Sequence, residues 1–214
     1  MTDVGISGAP ITPKDLIDAV FPAAGGTNTE ITILGNIPGF FYSGGLQTGS
    51  AIPAKNLQQA LAAITKLYFM GTTIGSQAFR NASFSLLTLM NFPALTTLGD
   101  NAFLNVKFPL LESMNFPKLI NMNGASFQSI VFTSLTSMSF PLLATMDYNA
   151  FIQTAFPVLK IMSFDALTSM GSSIFSNHLS STRNNELQCS QNHGISSILP
   201  NNIFSAQNNE LQSS

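Results

Sequence analysis

Hydrophobic side chains return along this chain at a fixed interval of 24 residues, with polar side chains between them. Three phenylalanine columns hold thirteen of its eighteen phenylalanines: Phe79, Phe103, Phe127, Phe151 and Phe175; Phe84, Phe108, Phe132 and Phe156; Phe92, Phe116, Phe140 and Phe164. Leucine and methionine keep the same interval, as in Met90, Met114, Met138 and Met162. One such segment cannot bury its own apolar side chains, so equivalent positions must stack into a continuous core. The pattern predicts a β-rich solenoid.

The order of residues within one interval predicts a coil with three sides. The unit F-P-x-L-x-x-M occurs twice in succession and is followed by a third segment such as Gly99 to Phe103. The stretch Leu111 to Phe116 matches a short parallel strand, and prolines at 93, 117 and 141, with Asp165 as the exception, should end such strands. Equivalent strands of successive coils should form a ladder on one face.

Two columns of residues indicate where the chain turns. The first column contains residue types that tolerate a left-handed backbone, and we expect a left-handed corner there: Gly75, Gly99, Asn123, Asp147 and Gly171. The second column is polar and should also serve a turn: Asn81, Asn105, Ser129, Gln153 and Asn177.

Recurring hexapeptides carry a family resemblance. LGDNAF at Leu98 to Phe103, IGSQAF at Ile74 to Phe79 and MDYNAF at Met146 to Phe151 resemble the I-G-x-x-A-F signature of BspA-like leucine-rich repeats, as L-x-x-M-x-F-P at Leu111 to Pro117 resembles their strand motif. The resemblance covers residues 68 to 177 and implies leucine-rich-repeat-like coils and a role in surface adhesion or host-protein binding. The coils here are longer than is usual in that family, and a triangular parallel β-helix is the alternative fold.

The flanking segments are expected to cover the open ends of the solenoid. Thr12 to Asp15 predicts a capped helix running towards Phe21, Glu30 to Leu34 predicts a strand, and Ala54 to Leu67 predicts a second helix. We therefore divide the chain into an N-terminal cap or docking region, repeats, and degenerate repeats forming a C-terminal cap: residues 1–67, 68–177 and 178–214.

Aromatic residues next to glycines form a possible docking loop in the N-terminal region. Phe40, Phe41 and Tyr42 lie between Gly39 and Gly44, a composition that suggests exposed rings on a flexible backbone. This loop is a candidate for docking on a partner, and in the assembly hypothesis the whole non-repeat arm, residues 1–67, acts as the docking device while the coils project outward.

Charge and targeting signals narrow the classes of partner. Only 8% of residues are charged, the formal net charge is -2, and no cluster of Lys and Arg is present, so no nucleic acid partner and no membrane insertion are predicted. The first twenty residues do not resemble a signal peptide, and no stretch is apolar enough for a transmembrane helix. The single cysteine rules out an internal disulfide.

Residues able to perform catalysis or bind a metal are sparse. The repeats contain four acidic residues that fall in different columns: Asp100, Glu112, Asp147 and Asp165. Cys189 and His193 have the spacing of two metal ligands, but no third ligand accompanies them, so we predict no metal, no cofactor and no enzyme.

The outward positions of the strand ladder are the predicted binding face, because strand side chains alternate between core and surface. They are small, polar and neutral for the most part: Leu89, Asn91, Ser113, Asn115, Ser137, Ser139, Ile161 and Ser163. Such a face suits a neutral protein or a glycan. We predict a non-catalytic recognition or adhesion module, extracellular or surface-exposed, and as the alternative a structural, decoration or receptor-binding component of a virion or other large assembly.

Overall fold

The structure is a computed structural model that describes residues 1–5, 7, 9–39, 41, 56–175 and the strand at 186–189. Eight parallel strands form the longer of two sheets, in the order β1-β2-β3-β5-β7-β9-β11-β13. Their bounds are Thr2–Val4 (β1), Glu30–Ile33 (β2), Lys66–Phe69 (β3), Leu89–Asn91 (β5), Ser113–Asn115 (β7), Ser137–Ser139 (β9), Ile161–Phe164 (β11) and Glu186–Cys189 (β13). The predicted ladder is present, and it extends through the N-terminal region.

A second parallel sheet forms another side of each coil, in the order β12-β10-β8-β6-β4. Its strands are Thr73–Ile74 (β4), Thr97–Leu98 (β6), Asn121–Met122 (β8), Thr145–Met146 (β10) and Ser169–Met170 (β12). The third side consists of turns, joined between coils by isolated parallel bridges, Ser83 to Lys107 and Val131 to Ala155. The three-sided, 24-residue coil predicted from the repeat is confirmed.

Phenylalanine rings stack in files through the interior, as the repeat requires. Phe127 lies between Phe103 and Phe151 with centroid distances of 5.3 and 5.2 Å and interplanar angles of 9° and 4°. Rings of neighbouring files meet edge to face, such as Phe116 and Phe127 at 5.8 Å. The same-phase side chains of successive coils therefore form one core, which contains the buried methionines of the strands as well.

The left-handed corner lies elsewhere than predicted. Positive φ angles occur two residues after the predicted column and at the predicted polar turn column: Gln77, Asn101, Ala125, Asn149 and Ser173; Asn81, Asn105, Ser129 and Gln153. The glycine column is instead a site of close backbone approach, since a Cβ on Gly99 would lie 2.5 Å from Ser76 N and one on Gly75 would lie 2.3 Å from Gly39 N. None of these glycines has a positive φ angle, so the conformational freedom of glycine is not required there, and Asn123 and Asp147 occupy the equivalent positions of two other coils.

Two short helices lie in the N-terminal region. Helix α1, Pro13–Val20, begins at the predicted Thr12 cap, with reciprocal hydrogen bonds between Thr12 and Asp15. Helix α2, Leu57–Ala63, is shorter than predicted, because the chain is already extended at Ile64 and then pairs as β3. Both helices bury their apolar side, and the predicted domain boundary between residues 67 and 68 falls within β3.

Candidate functional site

The outward positions of the longer sheet form a continuous surface. In β5, β7, β9 and β11 the central methionine points into the core, and the residues on either side point outward. Equivalent residues are in register, so that Leu89, Ser113, Ser137 and Ile161 form one row and Asn91, Asn115, Ser139 and Ser163 a second row. We call these eight residues the outward face. The structure brings together all of the residues predicted for it.

Six of the eight side chains of the outward face carry a hydroxyl or amide group, and the other two, Leu89 and Ile161, are apolar. Ser163 and Ser139 are hydrogen-bonded through their hydroxyls at 3.2 Å. Asn115 is exposed, as is Ile161 with 49% of its surface accessible, and the other six residues are half-buried. The face can therefore offer hydrogen bonds without electrostatic steering, which requires charge.

The same surface continues onto β2 and β3, where its chemistry changes. Glu30 aligns with Lys66 and then with Leu89, while Thr32 aligns with Tyr68 and then with Asn91. Lys66 Nζ donates to Glu30 Oε1 at 2.7 Å. This hydrogen bond and the attraction between the two charges lower the pKa of Glu30 and raise the pKa of Lys66.

Sequence reasoning missed this continuation because the N-terminal strands do not follow the repeat interval. β2 and β3 are offset by 36 residues, as in Glu30 to Lys66, and β3 and β5 by 23, as in Lys66 to Leu89. The alternation of polar and apolar residues in Lys66–Phe69 was the available signal for a strand with an outward side.

The prediction that the docking loop exposes its aromatic rings is wrong for one of the three residues. Phe41 is only 2% exposed, and its ring meets Phe79 edge to face at 5.8 Å. It therefore closes one phenylalanine file at the N-terminal end and is not an exposed docking group. Phe40 and Tyr42 lie outside the described residues.

Two acidic side chains in the repeats accept hydrogen bonds from main-chain N–H groups. Asp100 Oδ1 accepts a hydrogen bond from Gly124 N–H at 2.9 Å, and Asp147 Oδ1 accepts one from Tyr148 N–H at 2.7 Å. Within the part of the chain that the structure describes, no three potential metal ligands come together. The side chains of Cys189 and His193 lie outside that part.

One corner of the coils exposes an apolar column. Leu86, Leu110 and Val158 occupy equivalent positions and are 49%, 43% and 44% exposed. Ser134 occupies the equivalent position of the coil between Leu110 and Val158. Among the described helices none is long and apolar enough to cross a bilayer.

These features define a class of protein: a parallel-strand solenoid whose coils are leucine-rich-type repeats. The chain matches the sequence model of the BspA type leucine rich repeat region in six copies over residues 61–182, which is more than half of its length. It therefore belongs to the BspA-type leucine-rich repeat family, and the triangular β-helix alternative is set aside. No curated protein and no solved structure matches the chain.

Membership in this family indicates which general functions are common among related proteins. BspA-type repeats are commonly protein-binding or adhesive and are generally non-catalytic. Surface proteins are frequent among them.

Proposed function

We propose that this protein is a non-catalytic surface recognition or adhesion module that holds a neutral protein or glycan against its outward face. The observation that supports this proposal most strongly is the register of the eight outward residues across four adjacent strands. Repeated strands present an extended array of side chains on a rigid core, which is the usual binding surface of a solenoid. The absence of ionic groups in the array favours a neutral partner.

The test uses a protein array and a neutral-glycan array probed with the purified chain. The double variant Ser113→Arg with Ser137→Arg places two long charged side chains at the centre of the outward face. We expect binding of any captured ligand to fall by about tenfold or more, since unpaired charge in an interface opposes association.

The matched control carries Asn121→Arg and Thr145→Arg, two exposed positions on the second sheet. We expect this control to bind as the unchanged chain does. Failure of both arrays to yield a ligand, or equal losses in the two double variants, would contradict the proposal.

The second candidate function is a structural or receptor-binding component of a virion or other large assembly. The exposed apolar column of Leu86, Leu110 and Val158 favours it, because exposed apolar residues aligned along a surface often mark contacts between proteins. Light scattering over a range of concentrations distinguishes the two functions. Growth into large particles that is abolished by Leu86→Ser with Leu110→Ser supports assembly, and a monomer at all concentrations opposes it.

A further inference from the structure

The outward face differs at its N-terminal end from its centre. In the repeats the outward residues are neutral and not aromatic, whereas β2 and β3 place a tyrosine, a carboxylate and an ammonium group within two adjacent strands. Glu30 and Lys66 are paired in one row, and Thr32 and Tyr68 are neighbours in the next row. We call these four residues the N-terminal patch.

Thr32 lies at the bottom of the N-terminal patch. It is only 7% exposed although its row faces outward, while Asp3 on one side is exposed and Tyr68 on the other is half-buried. The Thr32 side chain is much shorter than that of Tyr68 and lies lower than the tyrosine ring. Its hydroxyl oxygen, Oγ1, is buried and has no hydrogen-bond partner in the protein.

A buried hydroxyl without a partner is unusual, since nearly all such groups are satisfied by protein, water or ligand. The Thr32 hydroxyl can both donate and accept a hydrogen bond. The patch therefore contains a polar group that the protein leaves unsatisfied and covers with the side chains around it. A ligand hydroxyl can bond to it only when the covering side chains move aside on binding.

Tyr68 supplies the apolar part of the patch. Tyrosine combines a flat apolar ring with a polar hydroxyl, and on an otherwise hydrophilic sheet face it suits a ligand that has an apolar side and a hydroxyl-rich edge. The amide of Asn91 follows Tyr68 in the same row. The ionic groups nearby are Glu30 and Lys66, whose charges cancel, and exposed Asp3, which disfavours an anionic ligand.

We infer that the N-terminal patch binds a neutral saccharide unit, with a face of the sugar ring against Tyr68 and its hydroxyls against Thr32, Glu30 and Asn91. This inference rests on the proposed function, because it names the ligand class for one end of the same surface. A pyranose combines a C–H face with a rim of hydroxyls, and each of these finds a complement in the patch. A few polar groups beside an aromatic ring are typical of small-ligand recognition.

The experiment is a titration of the whole chain with maltotetraose, mannotetraose and chitotetraose, followed by calorimetry and by tyrosine fluorescence. The chain has no tryptophan and three tyrosines, so fluorescence reports on few rings. We expect saturable binding of at least one of these neutral oligosaccharides. Tyr68→Ala should weaken it by about tenfold, as expected for loss of an aromatic contact, and Tyr68→Phe should retain most of it.

Two further variants test the geometry. Thr32→Val keeps the shape of the side chain and removes the hydroxyl, and we expect weaker saccharide binding together with an unchanged fold. Tyr148→Ala is the matched control, because Tyr148 is the other tyrosine whose position the structure describes; it is 49% exposed and lies beside Gly124. It should bind like the unchanged chain.

Several outcomes overturn the inference. They are the absence of binding to all three oligosaccharides, equal binding by the Tyr68→Ala and Tyr148→Ala variants, and a protein ligand whose capture requires Tyr68. The proposed function is tested separately by the arginine variants at Ser113 and Ser137. A ligand lost on those substitutions but indifferent to Tyr68→Ala would leave the proposed function intact and overturn the saccharide site.

Discussion

The N-terminal region and the repeats build the same sheet by different means. In the repeats, the main-chain carbonyls of each coil accept hydrogen bonds from the main-chain N–H groups of the next coil. Thr72 O, for example, accepts from Thr96 N–H and Thr97 N–H at 2.9 and 3.2 Å. At the N-terminal end a side chain does this, because Asn36 Oδ1 accepts from Thr72 N–H and Thr73 N–H at 2.9 and 3.1 Å. The amide oxygen of Asn36 thus takes the place of one main-chain carbonyl of the N-terminal segment, which otherwise pairs with the first repeat through the main chain of Ile37.

A second side chain performs the same task on the third side of the coil. Gln58 of α2 donates to Ser83 O at 2.8 Å and accepts from Ser83 N–H at 3.1 Å, as a neighbouring strand would. Phenylalanine packing changes in parallel, since Phe41 and Phe69 meet the first rings of their files edge to face and the repeats stack rings nearly face to face. A segment that does not repeat the sequence of a coil can therefore join the solenoid through side chains that make the hydrogen bonds of a neighbouring main chain.

The largest expected effect comes from a ring in the middle of a file. Phe127→Ala removes a fully buried side chain that contacts a ring on each side, and we expect a loss of about 3 to 5 kcal/mol in the free energy of unfolding because a cavity remains. Urea denaturation measures it. Leu119→Ala, also fully buried, should cost about 2 to 5 kcal/mol.

The matched variant at the end of a file is Phe41→Ala. Among the described residues Phe41 has a ring contact with Phe79 alone, whereas Phe127 is stacked between two rings, so truncation of Phe41 should cost less than that of Phe127. A cost below about 1 kcal/mol for Phe127→Ala would show that the file is not core. Equal losses of unfolding free energy in Phe41→Ala and Phe127→Ala would contradict the expected difference between a ring at the end of a file and a ring in its middle.

An intermediate effect is expected from Asn36→Ala, which leaves two main-chain donors without their acceptor. The cost should be about 1 to 3 kcal/mol. Hydrogen exchange locates it: the amides of Thr72 and Thr73 should lose protection, while those of Thr96 and Thr97, which donate to Thr72 O, should keep it. Asn36→Asp retains an acceptor oxygen and serves as the control. Unchanged protection of the Thr72 amide in the alanine variant would show that the Asn36 side chain does not take the place of a main-chain acceptor.

The smallest expected effect concerns the Glu30–Lys66 pair, which is solvent-accessible. Because the folded-state pKa of Glu30 lies below its ordinary value of 4.5, the pair stabilises the fold above that pH and ceases to do so as pH falls through the lowered pKa. The difference in melting temperature between the unchanged chain and Glu30→Gln should be small at neutral pH and disappear in acid. High salt should also abolish it. A difference that grows in acid would contradict this assignment.

The repeat made the solenoid predictable, and departures from the repeat limited what else could be foreseen. Equivalent phenylalanines, leucines and methionines recur because each coil contacts its neighbours in the same way. The outward residues of β5 to β11 followed from strand alternation once the register was known. The continuation of the outward face at Lys66 and Tyr68 was missed, because the spacing between β2, β3 and β5 differs from the 24-residue repeat and these residues therefore fall in no column.

The misplaced corner has a related cause. Glycine was expected to adopt a left-handed backbone, but asparagine, glutamine, serine and alanine take the positive φ angles, as in Asn101 and Ala125. What distinguishes Gly99 is its close approach to the main chain of Ser76 in the preceding coil. Closeness between coils is a property of the stack that a single coil does not reveal.

The sequence by itself determined the coil length, the residues that face the core and the family to which the chain belongs. Periodicity encodes these features directly, since every coil must bury the same positions against its neighbours. Only the tertiary structure decided how the N-terminal region is hydrogen-bonded to the first repeat, why Phe41 is buried and which residues extend the outward face. These depend on contacts between segments with unequal spacing, where a side chain such as Asn36 stands in for backbone and no repeated pattern indicates it.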